Sequence, residues 1–201
     1  MKIDTTSDLT NQYVVLKQPK DDLNTATTKI NFSWYPIASA GNYRFEIRQD
    51  SKDGALVFPA TILTYDTIEK ELKEGVYYWR VQAQNNSSTS PGTSRRLVVD
   101  TTNPGVPDLI SPLPGDTLKQ IPVVLEWERT GSSTAVVSDS ILIATDSLFT
   151  KNLETFFSEE LSYTMKNSDS GTYYWKVRSV DKAGNKSSYS EIRKFRLINE
   201  K

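Results

Sequence analysis

The sequence contains no cysteine and no histidine among its 201 residues. Without cysteine the chain has no disulfide framework, no thiol nucleophile and no thiolate ligand for zinc or an iron–sulfur cluster. Without histidine it lacks the most common general base and the most common side-chain ligand for metals. Carboxylates are therefore the main class of side chain left for acid–base chemistry.

An excess of charge of either sign is also missing. The 24 Lys and Arg residues and the 25 Asp and Glu residues give a net charge of −1. This balance provides no basic footprint for nucleic acid or for an anionic membrane, so we expect no nucleic-acid partner. No apolar run approaches the roughly 18–20 residues that span a bilayer, so we expect no transmembrane segment.

The chain is nevertheless rich in residues that build cores. It has four Trp, ten Tyr and seven Phe, and 37% of its residues are hydrophobic. Disordered chains show fewer aromatic residues and a larger net charge, so this composition indicates a packed protein. A length of 201 residues suits two domains of about 100 residues each.

An internal repeat supports two domains. The segment VYYWRV at residues 76–81 returns as TYYWKV at residues 172–177, and I-x-F-x-W ending at Trp34 returns as V-x-L-x-W ending at Trp127. A proline stands fifteen residues before each of these tryptophans. Tyr43-x-Phe45-x-Ile47 aligns with Asp139-x-Ile141-x-Ile143, and the repeated blocks alternate apolar with polar residues, as half-buried strands do.

The pattern predicts an all-β chain of two tandem antiparallel β-sandwich domains. We expect a flexible polar leader at residues 1–12, a first domain at 13–100, a linker with two prolines at 101–107 and a second domain at 108–199. Residues 69–74 favour a helix by propensity, but only for one or two turns before Gly75.

Both repeats resemble fibronectin type III modules, which are Ig-like β-sandwiches. The sixth-strand motif of that family is matched fully by Tyr77-x-Trp79-x-Val81-x-Ala83, and the second copy, at residues 173–179, departs only at its last position. The resemblance implies that Tyr77 and Tyr173 form tyrosine corners, whose hydroxyls bond to upstream backbone. Together with these two tyrosines, the strand alternation predicts a structural core containing Trp34, Trp79, Trp127 and Trp175.

Two further phrases resemble repeated modules of bacterial surface and secreted proteins. They are VDTTNP at residues 99–104 and VDKAGNKS at residues 180–187. Residues 1–8 lack the apolar core of a signal peptide. The resemblance therefore implies an extracellular or cell-surface protein, lipid-anchored, whose targeting segment is absent from this chain. We expect it to be a monomer.

Two tyrosines stand one step out of phase with the core tryptophans. Tyr78 and Tyr174 should point outward, beside Arg80 and Lys176 respectively. Aromatic rings flanked by cations can stack on a sugar or on a protein partner. Ordinary surface packing of strand-favouring residues is the alternative. Three aromatic residues near predicted loops would extend a sugar platform: Tyr65, Phe156 and Phe157.

Signals for chemistry are weak. Asp100, Asn103, Asp181 and Asn185 lie near module ends, but they supply too few oxygens for calcium and suit turns instead. The carboxylates grouped in sequence stand in what look like solvated turns: Glu69, Glu71, Glu74, Glu159 and Glu160. No phosphate-cradling glycine loop or nucleophile elbow is present. We therefore expect no metal, no cofactor and no enzymatic activity.

The sequence thus predicts a non-catalytic structural or interaction module of an exported bacterial protein. It would space or display a binding surface for a protein partner at the cell surface. The alternative is a carbohydrate-binding accessory protein of a bacterial glycan-uptake system, with a polysaccharide as partner. A small hydrolase would require two facing carboxylates about 5–10 Å apart in one cleft.

Overall fold

The computed structural model describes residues 8–119, 122–131, 136–166 and 169–198, and within these ranges it contains strands and no helix. The chain divides into two compact units, Met1–Thr101 and Thr102–Lys201. Each unit contains one three-stranded and one five-stranded sheet. The all-β class predicted from the alternating sequence pattern is therefore confirmed.

The described residues of the first unit form eight strands. They are β1 (Leu16–Gln18), β2 (Leu23–Thr25), β3 (Lys29–Trp34), β4 (Asn42–Gln49), β5 (Thr61–Leu63), β6 (Thr67–Glu71), β7 (Gly75–Gln84) and β8 (Thr93–Val99). The smaller sheet has the strand order β1-β3-β6, and the larger has the order β2-β8-β7-β4-β5. Neighbouring strands are antiparallel except β2 and β8, which are parallel.

The second unit repeats this arrangement. Its described strands are β9 (Asp108–Ser111), β10 (Thr117–Leu118), β11 (Val123–Glu128), β12 (Val136–Ala144), β13 (Glu154–Ser158), β14 (Ser162–Met165), β15 (Gly171–Asp181) and β16 (Arg193–Leu197). The sheets have the orders β14-β11-β9 and β10-β16-β15-β12-β13. Strands β10 and β16 form the parallel pair, as β2 and β8 do in the first unit.

An aromatic cluster fills the space between the two sheets of the first unit. Strand β7 alternates between its faces, so Trp79 points inward with no exposed surface. The ring of Phe32 on β3 lies 5.2 Å from Trp79 and 5.1 Å from Phe45 on β4, between centroids. Trp34 stacks on Phe45 at 6.0 Å. Because these rings come from both sheets, their contacts hold the sandwich together.

The core of the second unit contains a buried carboxylate. Asp139 on β12 has no exposed surface, and it stands where the repeat places Tyr43 in the first unit. Its oxygens accept hydrogen bonds from the Trp127 indole at 2.9 Å, the Ser179 hydroxyl at 2.7 Å and the Arg129 guanidinium at 2.9 Å. A buried charge is tolerated when it is paired and hydrogen-bonded, so this network replaces a ring of the first unit.

Each unit has a tyrosine corner at the start of its longest strand. The Tyr77 hydroxyl donates to the Lys73 carbonyl at 2.9 Å, and the Tyr173 hydroxyl donates to the Asp169 carbonyl at 2.9 Å. Burial raises the pKa of the Tyr77 phenol above its ordinary value, and the negative charge of Asp50 raises that pKa further. Both hydroxyls therefore bond to backbone four residues upstream.

An arginine on the last strand of each unit joins the two sheets of that unit. Arg95 on β8 donates to three carbonyls on and just after β1, at distances from 2.6 to 3.2 Å: those of Leu16, Lys17 and Pro19. Arg193 on β16 donates to two carbonyls on and just after β9, at 3.1 and 3.2 Å: those of Ile110 and Pro112. Both prolines follow cis peptide bonds. Equivalent arginines therefore hold the first strand of each repeat.

Part of the expected leader belongs to the first unit. Residues 1–7 lie outside the described residues, but Leu9 is fully buried in the core of that unit. The backbone amide of Leu9 donates a hydrogen bond to the Ser88 hydroxyl at 2.9 Å, which fixes the position of this residue. The Gln12 amide then donates to the Leu9 carbonyl at 3.0 Å. The prediction of a flexible leader is therefore corrected for residues 8–12. The Leu9 side chain, the apolar one among polar neighbours, anchors this segment in the core.

The expected linker, residues 101–107, is held at both of its ends. The Thr101 hydroxyl donates to the Glu74 carboxylate of the first unit at 2.9 Å. In the second unit the Val106 carbonyl accepts a hydrogen bond from the Thr130 hydroxyl at 2.6 Å. Gly105 lies so close to the Thr130 carbonyl that a Cβ would come within 1.9 Å of its oxygen. Each end of the segment is therefore bound to one of the two units.

Candidate functional site

The residues expected to form the structural core lie inside the two units. Five of them are at most 4% exposed: Trp34, Trp79, Trp127, Trp175 and Tyr77. Tyr173 is partly buried and packs against the core of the second unit. The tryptophans are therefore unavailable as a sugar platform.

The four residues proposed from the sequence as a binding surface lie on the outer faces of the five-stranded sheets. Tyr78 and Arg80 on β7 are half-buried, and so are Tyr174 and Lys176 on β15. The tryptophan between each pair points the other way, into the core. The two pairs belong to different units, and their surroundings differ.

Tyr78 and Arg80 line a pocket on the outer face of the first unit, with a volume of about 340 Å³. Strand pairing places Arg48 opposite Tyr78 and Ser94 opposite Arg80. The remaining wall comes from the loop after β4 and from the residue before β8: Lys52, Asp53 and Gly92. The wall therefore carries three cations, one carboxylate, one aliphatic hydroxyl and one phenol.

A buried glutamate fixes one edge of this pocket. Glu46 on β4 is only 4% exposed, although the cations around it lie on the outer face. Its carboxylate pairs with the Arg44 guanidinium at 2.6 Å and with the Arg48 guanidinium at 3.1 Å. Arg48 also donates to the Gly54 carbonyl at 3.0 Å. Arg48 is thus held in place, and it shares the Glu46 carboxylate with Arg44.

The Arg80 side chain has no hydrogen bond or ion pair within the described part of the chain. It lies opposite Glu46 in the β4–β7 ladder, but that carboxylate is taken by the two arginines of β4. The Arg80 Nε is buried without an acceptor, but so are the Nε atoms of three other arginines, so this atom does not distinguish Arg80. The distinguishing feature is that the guanidinium lines the pocket without an acidic partner, which makes it a candidate for binding an anion.

Gly92 makes room for the Arg80 side chain, because a Cβ at this position would lie 1.6 Å from the Arg80 Nε. Two serines show which residue of the second unit corresponds to Gly92. Ser90 accepts a hydrogen bond from a backbone amide of β7 at 2.8 Å, and Ser187 accepts one from a backbone amide of β15 at 2.9 Å. Two residues after each serine stand Gly92 and Tyr189.

The second unit covers its equivalent cation with its own rings. Lys176 corresponds to Arg80, and its Nζ lies 4.2 Å from the Phe149 ring centroid and 4.7 Å from that of Tyr189. The Arg178 guanidinium lies 4.6 Å from the Tyr189 ring. Aromatic faces attract cations at these distances. Lys176 therefore already has partners inside its own unit.

The aromatic residues near loops are not gathered into one platform. Tyr65 is 55% exposed and belongs to the first unit, whereas Phe156 and Phe157 belong to the second. Phe157 is 70% exposed, but Phe156 packs on the core and its ring lies 4.3 Å from that of Tyr163. Consecutive side chains of a strand point to opposite faces of the sheet, so Phe156 and Phe157 cannot contribute to the same binding surface.

The acidic residues considered for chemistry have structural surroundings. Glu69 and Glu71 are exposed on β6. Asp181 accepts hydrogen bonds from the backbone and side-chain amides of Asn185 at 2.8 and 2.9 Å, as expected of a turn. Within the ranges that the structure describes, no three Asp or Glu residues come together as a metal site, and no helix could cross a membrane.

The comparisons with known proteins establish the fold. No family model and no curated protein matches the sequence. The structure is similar to the crystal structure of chicken CNTN1 FN1-FN3 domains, with a TM-score of 0.53 and 13% identity over 94% of this chain and 68% of that chain. The chain therefore has a tandem fibronectin type III-like β-sandwich fold, which confirms the predicted fold class. Since one fold serves many functions, the function must be argued from the surface.

Proposed function

We propose that this chain is a non-catalytic interaction module that displays a binding surface for a protein partner. The supporting observation is that each five-stranded sheet carries cations beside aromatic rings on its outer face, Arg80 with Tyr78 and Lys176 with Tyr189. Arginine and tyrosine are enriched at the centres of protein interfaces. The one carboxylate of Glu46 is shared by the guanidiniums of Arg44 and Arg48, so positive charge remains in excess there, and an acidic partner surface is the complementary one.

Charge-reversal variants test this proposal. Lys52 lines the pocket of the first unit, and Lys194 is exposed opposite Tyr174 on the second. Lys166→Glu is the control, because Lys166 is exposed and directly follows β14 of a smaller sheet. We expect immobilised wild type and Lys166→Glu to retain the same cell-surface proteins of the source cells, and Lys52→Glu or Lys194→Glu to release them at lower salt. Equal retention by all four proteins would contradict the assigned faces.

Carbohydrate binding, as in an accessory protein of a bacterial glycan-uptake system, is the second candidate. It is favoured by the pocket beside Tyr78, whose volume of about 340 Å³ is that of a small-ligand site. The test is electrophoresis of the folded protein through gels that contain different soluble polysaccharides. We expect one polysaccharide to retard the wild type and Tyr174→Ala equally, and to retard Tyr78→Ala less. Unchanged mobility in every gel would remove this candidate.

We also propose that the protein is lipid-anchored at the cell surface or extracellular. The support is the resemblance of residues 99–104 and 180–187 to modules of exported bacterial proteins. Protease added to intact cells should then remove the protein, while a cytoplasmic marker survives. Protection of the protein until the cells are lysed would contradict this location.

A further inference from the structure

The two units differ in what covers one cation of the outer sheet face. In the second unit the Tyr189 ring lies over Lys176 and Arg178. In the first unit glycine stands at the equivalent position, and the Arg80 guanidinium itself occupies the space over it. The first unit therefore places its cation where the second unit places a ring, and this cation lines the pocket.

The charges of the wall favour an anionic ligand. Arg48, Lys52 and Arg80 face the pocket with Asp53 as the only acid of the described wall. Arg48 is already paired with Glu46, whereas the Arg80 side chain lines the pocket with no ion pair or hydrogen bond to the described residues. A guanidinium binds a carboxylate through two parallel hydrogen bonds, which makes a carboxylate the natural acceptor at Arg80.

The polar character of the wall also suits a sugar. The described wall contains no aliphatic side chain and offers charged and hydroxyl groups that can bond to sugar hydroxyls. Asp53 and Ser94 can accept hydrogen bonds from sugar hydroxyls, and the Tyr78 ring offers a face for a pyranose.

We infer that this pocket binds a hexuronate residue of an acidic polysaccharide, with the sugar carboxylate on Arg80 and the pyranose ring beside Tyr78. The inference rests on the second candidate function, carbohydrate binding, and names its ligand class. The pocket volume of about 340 Å³ lies at the lower end of the range for small-ligand sites, which suits one sugar residue and its linkages.

The test is a titration of the isotope-labelled whole chain with trigalacturonate, followed through backbone amide shifts by NMR. The matched probe is the trimethyl ester of the same trisaccharide, which keeps the rings and hydroxyls but removes the charges. We expect saturable shifts confined to residues 48–54, 78–80 and 92–94. The ester should bind at least about tenfold more weakly, as the loss of a charge-assisted hydrogen bond implies.

Variants separate the pocket from the rest of the surface. Arg80→Gln should weaken trigalacturonate binding about tenfold or more, while Arg178→Gln, the same change on the second unit, should leave it unaltered. Gly92→Tyr combined with Arg80→Lys copies the arrangement of the second unit and should close the pocket. Its unperturbed amide shifts outside the pocket would verify that the variant still folds.

Several results would overturn the inference. Equal shifts with the ester would mean that the carboxylate is not recognised, and equal shifts with sodium acetate would mean that the pocket takes any small anion. Tighter binding of hexaglutamate at the same residues would assign the pocket to an acidic protein segment. If a neutral polysaccharide retards the chain in gels while trigalacturonate leaves the pocket unshifted, the inference fails and carbohydrate binding stands. If no carbohydrate of either kind binds, that candidate function fails as well.

Discussion

At the scale of the residue, one hydroxyl secures the entry into β7. Tyr77 is 4% exposed and donates to the Lys73 carbonyl at 2.9 Å. Removal of the hydroxyl leaves that carbonyl without its donor, so Tyr77→Phe should lower the free energy of unfolding by about 1–3 kcal/mol. Urea denaturation measures the change. Tyr13→Phe is the control, because Tyr13 is 64% exposed, and an equal effect of both variants would contradict the role of the corner.

The same variant should alter the response to alkaline pH. Burial raises the pKa of Tyr77 in the folded chain, so the folded chain holds the phenol proton more tightly than the unfolded chain does. The associated stability is therefore present below about pH 10, the unfolded pKa, and is lost as pH rises through the higher folded pKa. Tyr77→Phe should reduce the fall in stability above that pH.

Since the chain has no histidine, stability should be flat between about pH 6 and 8.

Asp139 marks the limit of sequence reasoning at this scale. The repeat aligned Asp139 with Tyr43, a core position. The alternation of apolar and polar residues, however, does not show which groups would donate hydrogen bonds to a buried carboxylate. Its partners Trp127 and Ser179 lie on other strands, 12 and 40 residues away in the sequence. In the first unit the Trp34 indole nitrogen is buried without a partner. Only the strand packing shows that one tryptophan has an acceptor and the other has none.

At the scale of the element, strand pairing overrides helix propensity around β6. Residues 69–74 favour a helix on their own, yet residues 67–71 form a strand. Five consecutive residues of β6 pair with β3, and Ile68 packs against the core of the first unit. Lys29 also stands directly opposite Glu71, a favourable cross-strand charge pair. These long-range contacts outweigh a weak local preference.

The candidate pocket was only partly predictable for a related reason. The alternation along β7 was enough to place Tyr78 and Arg80 on the outer face. The other walls of the pocket depend on the conformation of loops, and the alternating pattern of the strands does not predict that conformation. Lys52 and Asp53 reach the pocket through the hairpin loop after β4, and Gly92 matters only because of its distance to the Arg80 Nε.

Arg95 offers a test of how the two sheets of one unit are joined. Its guanidinium donates to three carbonyls on and just after β1. Arg95→Met keeps most of the aliphatic stem but removes these charge-assisted bonds, so it should lower the free energy of unfolding by about 1.5–3 kcal/mol. Thermal and urea denaturation would measure the loss.

The neighbouring arginine provides the matched control. Arg96 pairs with Asp22, whose side chain is 55% exposed. Surface ion pairs contribute about 0–1 kcal/mol, so Arg96→Met should have the smaller effect. If both variants lose the same stability, the three carbonyl contacts of Arg95 do not hold the sheets together.

At the scale of the whole molecule, one architecture occurs twice with different surfaces. Both units have the same sheet orders, a tyrosine corner and an arginine that holds the first strand. They diverge where Gly92 corresponds to Tyr189, on the outer face of the larger sheet. The repeated features stabilise each sandwich, so a difference that lies outside them is where distinct binding properties are expected.

The separate cores predict separate unfolding. The described core residues of the first unit lie between positions 9 and 99, and those of the second between 109 and 197. Trp34 is fully buried and stacks on Phe45, so Trp34→Ala should leave a cavity and destabilise the first unit by about 3–5 kcal/mol. Because no described core residue is shared, the second unit should keep its own stability.

Residue-resolved hydrogen exchange on the whole chain separates the two units. In Trp34→Ala, protection should fall along β3, β4 and β7 and stay at the wild-type level along β11, β12 and β15. Trp127→Ala is the reciprocal variant and should reverse the pattern, with a further loss because the buried Asp139 carboxylate would lose its indole donor. If either variant lowered protection in both units to the same extent, the two sandwiches would unfold as one cooperative body, and stability could not be assigned to separate cores.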